Sequence, residues 1–151
     1  AGQAVGEGIL RLRFASSPGE LKGVRETVAE TLGRAGCPEA ESRDLVLAVD
    51  EACQNVIRHA YGGDTDGEIT LEIRRDGEDL VVLLRDFAET ADPGSIKPRD
   101  LDDIRPGGLG THLIRQLMDE VEYAAPPGDG GNLLRMIKRL KRGKPDEARD
   151  P

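Results

Sequence analysis

The sequence predicts an α+β fold: a two-layer α/β sandwich in which helices cover one face of a mixed, mostly antiparallel sheet. Three observations predict it: short stretches alternate apolar and polar residues, longer stretches repeat apolar residues at helical spacing, and glycine-containing turns separate neighbouring strands. The order along the chain is strand, two helices, hairpin, loop, helix and hairpin. Because a sheet and a set of amphipathic helices each bury one apolar side, they pack against each other as layers.

The first half of the chain predicts one strand and two helices. Apolar residues alternate from Ile9 to Phe14, which is typical of a half-buried strand. Ser17 and Pro18 suit the N-cap and the first position of a helix. The apolar stripe of this helix consists of Leu21, Val24, Val28 and Leu32. A second helix is predicted over residues 38–61, and its apolar arc consists of Leu45, Val49, Ala52, Val56, Ile57 and Ala60.

The second half predicts two hairpins. Residues 68–75 alternate, and Asp76-Gly77 is a strong turn signal before the apolar run 80–84. A continuous apolar run is expected of a strand that is covered on both faces. Residues 121–125 and 132–140 are predicted to form the last hairpin.

Residues 87–106 lie between the first hairpin and the helix that follows it. This stretch contains three prolines, many acidic residues and little periodicity. A connection of this length is uncommon as a passive loop, so we predict a functional loop or lid.

Size and charge limit the class of protein. The chain has 151 residues, which suits one domain over residues 9–140 with a flexible N-terminus over 1–8 and a polar tail over 141–151. The formal net charge is −8. Because affinity for nucleic acid comes largely from Lys and Arg on phosphates, direct nucleic-acid binding is disfavoured.

Two cysteines and the absence of long apolar runs predict a cytoplasmic protein. Cys37 and Cys53 form neither a metal-binding spacing nor a disulfide framework, so reduced thiols are expected. No run approaches the roughly 18 apolar residues of a membrane span. Residues 1–14 contain no signal-peptide pattern, so no association with a membrane is predicted.

The second predicted helix carries a candidate polar site. Glu51 and Asn55 are four residues apart and therefore lie one turn apart on the same side. Asn55 falls at the border of the apolar arc and Glu51 just outside it, where a polar stripe would line a cleft. The alternative is an ordinary solvated flank of the helix.

Two further features lie in the second half. Asp86 follows the apolar run and suits a hydrogen-bond acceptor for an amino group, or alternatively a strand-terminating aspartate. Gly107-Gly108-Leu109-Gly110 precedes a helix, where glycines allow close approach of a ligand and free N–H groups attract phosphate. A short glycine-rich turn is a weak signal alone, and no Walker A sequence follows.

The three features together resemble a known family. Glu51-Ala-Cys-Gln-Asn55, Asp86-Phe-Ala88 and Gly107-Gly-Leu-Gly110 occur in the order and at the separations of the GHKL ATPase superfamily, which includes gyrase, heat-shock chaperone and histidine-kinase ATP domains. Residues 48–61 and 107–121 resemble anti-sigma-factor serine kinases more closely. The resemblance covers roughly residues 9–140.

This resemblance implies a Bergerat-type ATP-binding fold and a role for each matching residue. It implies that Glu51 is the catalytic general base, that Asn55 binds Mg²⁺, and that Asp86 accepts a hydrogen bond from the adenine amino group. The remaining nucleotide-binding positions that it implies are Ala88, Gly108, Leu109, Gly110 and Thr111. Arg105 stands beside the glycine-rich segment in sequence, where it would reach the γ-phosphate or, alternatively, be an ordinary solvated loop arginine. The implied cofactors are ATP and Mg²⁺.

The resemblance also implies partners. A kinase of this type phosphorylates a serine or threonine of an anti-sigma-factor antagonist, sequesters a sigma factor and forms a homodimer. Ala88 departs from the family pattern, which is Asp-x-Gly, so a non-catalytic or weakly ATP-binding module of the same fold stays open. A third hypothesis, the ATP domain of a histidine kinase, is opposed by the lack of room for a phospho-acceptor helical hairpin.

Overall fold

A computed structural model of the protein describes residues 7–62, 65–88, 108–124 and 131–140. The predicted loop or lid lies outside the described residues except for positions 87 and 88. The described segments form β1 (Glu7–Ala15), α1 (Leu21–Arg34), α2 (Glu39–Asn55), β2 (Glu68–Asp76), β3 (Asp79–Asp86), α3 (Gly108–Leu117), β4 (Glu120–Ala124) and β5 (Asn132–Arg139). This order confirms the predicted sequence of elements.

The strands form one five-stranded sheet in the order β1-β2-β3-β5-β4. All four pairings among the described strands are antiparallel, so the predicted mixed character of the sheet is not observed there. The β2–β3 hairpin turns at Gly77 and Glu78, one residue later than Asp76-Gly77, because Asp76 still pairs with Asp79. Gly77 adopts a φ of 65°, which glycine tolerates without steric cost.

The core lies between the helices and one face of the sheet. The predicted stripe of α1 is buried, and so are Leu45, Val49 and Ala52 of α2. Opposite them, the sheet contributes side chains that alternate along each central strand: Ile69, Leu71, Ile73, Leu80, Val82, Leu84, Leu134 and Met136. Burial of each such side chain contributes about 1.5–3 kcal/mol, so this interface is the main source of stability.

The first helix begins as the sequence predicts. Ser17 is the N-cap of a short 3₁₀ turn over Pro18–Glu20, and its hydroxyl accepts from the amide of Gly19 at 3.4 Å. This turn leads directly into α1.

The second helix differs from the prediction at its end. It is α-helical over Glu39–Asn55 and continues as a π-helical turn over Val56–Ala60. The wider turn shifts the side chains that follow, so Ile57 is buried while Val56 and Ala60 are only partly buried. π-Turns in helices are rare and frequently lie at functional sites.

The two ends of α2 are attached to opposite ends of the sheet. Near its start, Asp44 accepts from the amine of Lys138 in β5 at 3.1 Å. After its end, Tyr61 contacts Glu68 at the start of β2 and Phe87 just after β3. None of the helices in the described segments is long and apolar enough to cross a lipid bilayer.

Candidate functional site

The Asp86 side chain is held at the end of β3. Asp86 is the last residue of the strand, pairs with Asn132 of β5 and is 2% exposed. Its Oδ1 accepts from the amide of Ala88 at 3.0 Å and from Nδ2 of Asn132 at 3.1 Å, and its Oδ2 lies 3.3 Å from the same nitrogen. A buried carboxylate fixed in this way is a rigid hydrogen-bond acceptor.

The pKa of Asp86 reflects two opposing effects. Burial raises the pKa above its ordinary value of 3.8, while the hydrogen bonds from Ala88 and Asn132 and the charge of Arg85 lower it. Burial is the largest of these effects, so ionised Asp86 costs free energy in the folded protein. Costly buried carboxylates are frequent at functional sites.

Ala88 is buried and its φ is not positive. The backbone at this position therefore does not require the glycine of the Asp-x-Gly pattern. A glycine is required instead at Gly131, where φ is 82° and a Cβ atom would collide with the carbonyl oxygen of Asp86. Sequence reasoning missed Gly131 and Asn132, because only the pairing of β3 with β5 brings them to Asp86.

Glu51 and Asn55 lie on α2, one turn apart as predicted, and both are partly buried. Asp50, next to Glu51, is already occupied: it pairs with Arg25 at 3.0 Å and accepts from Gln54 at 2.8 Å. Within the described part of the chain the Glu51 carboxylate has neither a hydrogen bond nor an ion pair. This carboxylate is therefore available to a ligand or partner, whereas that of Asp50 is not.

The oxygen atoms of this helix suit Mg²⁺. Asn55 Oδ1 makes a single long contact, 3.4 Å to Nη2 of Arg58, which a cation would replace. Among the described residues, no group of three or more His, Cys, Asp or Glu side chains is placed to hold a metal. Mg²⁺ takes one or two protein oxygens and completes its shell with substrate phosphates and water, so Asn55 Oδ1 suits a magnesium ligand.

The glycine-rich segment lies at the start of α3. The structure begins this helix at Gly108, so Gly108, Leu109, Gly110 and Thr111 form its first turn and do not precede it as a loop. First-turn amides have no acceptor within a helix and are available to anions, so the predicted phosphate contact keeps its physical basis. Because α3 packs against α2, this turn and the polar stripe belong to the same layer. Gly107 and Arg105 lie outside the described residues.

The arrangement defines a class of protein. The sequence matches the family model described as histidine kinase-like ATPase domain over residues 14–138, and the chain belongs to this family. The match spans the described core and the residues around Glu51, Asn55 and Asp86.

The chain is homologous to serine-protein kinases named RsbW. It is 31% identical to the Bacillus pumilus protein over 91% of this chain and 90% of the relative. It is 34% identical to the protein from Halalkalibacterium halodurans over 84% of this chain and 80% of the relative. The predicted resemblance to anti-sigma-factor serine kinases is thereby confirmed.

Two solved structures share the fold. One is a SiaB–SiaC complex from Pseudomonas aeruginosa, with a TM-score of 0.68 and 18% identity over 87% of this chain and 89% of that chain. The other contains the RsbU and RsbW domains of a Mycobacterium tuberculosis protein, with a TM-score of 0.62 and 18% identity over 87% of this chain and 31% of that chain. At such identity the likeness shows the fold alone, and it confirms the predicted α+β sandwich.

Proposed function

We propose that this protein is an anti-sigma-factor serine/threonine protein kinase that binds ATP with Mg²⁺ and phosphorylates an antagonist protein. The observation that carries the proposal is the buried Asp86 carboxylate, held by Ala88 and Asn132 at the end of the sheet to which α2 is attached. The family and the RsbW relatives support the reaction class.

In the proposed reaction the acceptor hydroxyl oxygen attacks the γ-phosphorus of ATP. A phosphorus–oxygen bond forms, the bond to the β,γ-bridging oxygen breaks, and ADP leaves while Glu51 takes the hydroxyl proton. Asp86 accepts from the amino group of adenine, and amides of the first turn of α3 bind phosphate oxygens. Asn55 would hold Mg²⁺, which when bound neutralises charge on the phosphates.

The remaining parts of the proposal rest on the family resemblance, apart from Arg105, which is proposed from its position beside the glycine-rich segment. Ala88, Leu109 and Thr111 would contact the nucleotide, and Arg105 would approach the γ-phosphate. The proposed partners are an anti-sigma-factor antagonist, a sigma factor that is sequestered, and a second copy of the chain. The proposed location is the cytoplasm, without nucleic acid or membrane as a partner.

One observation favours a second candidate, a partner-switching module that binds ATP weakly or does not use it. Ala88 replaces the glycine of the family pattern and is buried beside Asp86. Its methyl group adds volume where a nucleotide base would lie. The two candidates share the fold and differ in whether phosphate is transferred.

Phosphate transfer from labelled ATP to candidate antagonists encoded in the same genome tests the proposal. We expect transfer by the wild type and a loss of about 10²–10⁴ in rate for Glu51→Ala, with the Kd for ATP nearly unchanged. Glu41→Ala, which removes a glutamate from the first turn of the same helix, is the matched control and should transfer normally.

The outcomes separate the candidates. ATP binding without transfer to any candidate favours the partner-switching module. A folded protein that gives no binding heat with millimolar ATP excludes the kinase and leaves only a module that does not use ATP. Unchanged transfer by Glu51→Ala removes Glu51 from the mechanism.

A further inference from the structure

The hydroxyl of Tyr61 connects the end of the second helix to two strands. It donates to the backbone carbonyl of Glu68 at 2.7 Å and accepts from the backbone amide of Phe87 at 2.8 Å. Burial raises the pKa of Tyr61 above its ordinary value of 10.0, so the hydroxyl keeps its proton at neutral pH. One oxygen atom therefore joins Tyr61 to Glu68, seven positions further along the chain, and to Phe87, 26 positions further along.

The segment that precedes β2 packs closely against the Tyr61 ring. A Cβ atom at Gly67 would collide with this ring, so the segment before β2 can pass it only with a glycine there. The ring itself is partly buried and packs on the core. The hydroxyl is therefore held in place by packing as well as by its hydrogen bonds.

The hydrogen bond from the Phe87 amide to the Tyr61 hydroxyl holds the backbone of the residue that follows Asp86. The amide of Phe87 is held by Tyr61 and the following amide, of Ala88, is held by Asp86 itself. On the other side, Gly131 lies against the carbonyl of Asp86. The backbone around the carboxylate is thus fixed by Tyr61, which follows the π-turn, on one side and by Gly131, which precedes β5, on the other.

We propose that Tyr61 is a positioning residue that fixes the Asp86 carboxylate relative to the helix carrying Glu51 and Asn55, and so sets selectivity for the 6-amino group of adenine. This inference rests on the proposed ATP site. An acceptor that cannot move rejects a base with a carbonyl at that position, whereas a carboxylate with looser backbone can turn away from it. The Tyr61 hydroxyl is bonded to the backbone of Glu68 and Phe87, beside Asp86, so Tyr61 should affect base binding and not the transfer step.

The test compares ATP with ITP, whose base carries an oxygen in place of the amino group. Tyr61→Phe should weaken ATP binding about 3- to 10-fold, as expected for lost hydrogen bonds, change ITP binding less, and leave kcat nearly unchanged. If the role of Tyr61 were merely structural, the variant would have a lower folded fraction and would bind both nucleotides more weakly by the same factor. A smaller ratio of the Kd for ITP to the Kd for ATP in Tyr61→Phe is therefore the result that distinguishes a selectivity role from a structural one.

Two further variants sharpen the comparison. Gly67→Ala keeps the Tyr61 hydroxyl but displaces the ring. It should also lower the ratio of the Kd for ITP to the Kd for ATP. Tyr123→Phe removes the hydroxyl of the chain's other tyrosine, which lies in β4, and it should leave the ratio unchanged.

Hydrogen exchange of the Phe87 amide without nucleotide gives a readout that does not depend on ATP. It should accelerate in Tyr61→Phe and not in Tyr123→Phe, because only the first variant loses the acceptor. Faster exchange with an unchanged ATP to ITP ratio would overturn the selectivity role, and unchanged exchange would overturn the bridge itself. A wild type that binds neither nucleotide would instead be the failure of the proposed function.

Discussion

At the scale of single residues, Asp86 shows a conflict between stability and binding. Its carboxylate is almost fully buried and its pKa is raised, mainly by loss of water. Hydrogen bonds from Ala88 and Asn132 offset only part of this effect. Ionised Asp86, held in the orientation that an adenine amino group would need, therefore costs the folded protein free energy.

The variant Asp86→Asn should make this cost visible as a pH dependence. Because the folded pKa lies above the unfolded one, the folded state binds more protons between 3.8 and the raised value, and wild-type stability falls as pH rises through that window. The variant has no such carboxyl. Its free energy of unfolding should therefore rise relative to that of the wild type as pH increases from about 4. Urea unfolding without nucleotide, at several pH values, measures the difference, and a difference that is constant with pH would contradict the argument.

At the scale of elements, α2 is positioned by contacts near both of its ends. At its start, the Lys138 side chain is 8% exposed, and its amine lies 3.1 Å from Asp44 and 2.6 Å from the carbonyl of Leu117 at the end of α3. One buried cation thus joins α2, α3 and β5. At the other end the hydroxyl of Tyr61 joins α2 to β2 and the end of β3.

Lys138→Met should lower the free energy of unfolding by about 1–3 kcal/mol, because it leaves the Leu117 carbonyl without its donor. The contribution of the ion pair is small, since Asp44 is 41% exposed and water screens it. Asp44→Asn is the matched control and should lose less, because the contact with Leu117 survives. Equal losses in the two variants would mean that the ion pair, and not the carbonyl contact, stabilises this junction.

At the scale of the whole molecule, the candidate adenine contact Asp86 lies at one end of the sheet, where several segments meet. The end of β3, the start of β5 and the residue after the π-turn of α2 meet there. The first turn of α3 belongs to the helix layer beside α2. A ligand that bridges strand end and helix layer should stabilise the whole fold.

ATP with Mg²⁺ at about 100 times Kd should add about 2.7 kcal/mol to stability and raise Tm by roughly 5–10 °C. Chelation of Mg²⁺ with EDTA should remove most of this rise, because Asn55 would then lose the cation that it shares with the phosphates. Asp86→Asn should show little rise even with Mg²⁺. A rise that is insensitive to EDTA would contradict the role of Asn55.

Part of the candidate site could be predicted from the sequence because its signals are local. The spacing of Glu51 and Asn55, the acid at the end of an apolar run and the glycines at a helix start are all readable along the chain. Asn132, Gly131 and Tyr61 could not be found in this way. Their partners lie 46, 45 and 26 positions away in sequence, and only strand pairing and helix docking bring them together.

The sequence by itself determined the element order, most of the buried apolar positions and the family, because periodicity, capping and motif residues act over a few positions. Only the tertiary structure decided that the described strands all pair antiparallel, that α2 ends in a π-turn, and that Ala88 needs no glycine conformation. It also decided that the collision requiring glycine falls at Gly131. Such features depend on how closely separate segments approach, and that distance is set by the packing of the layers as a whole.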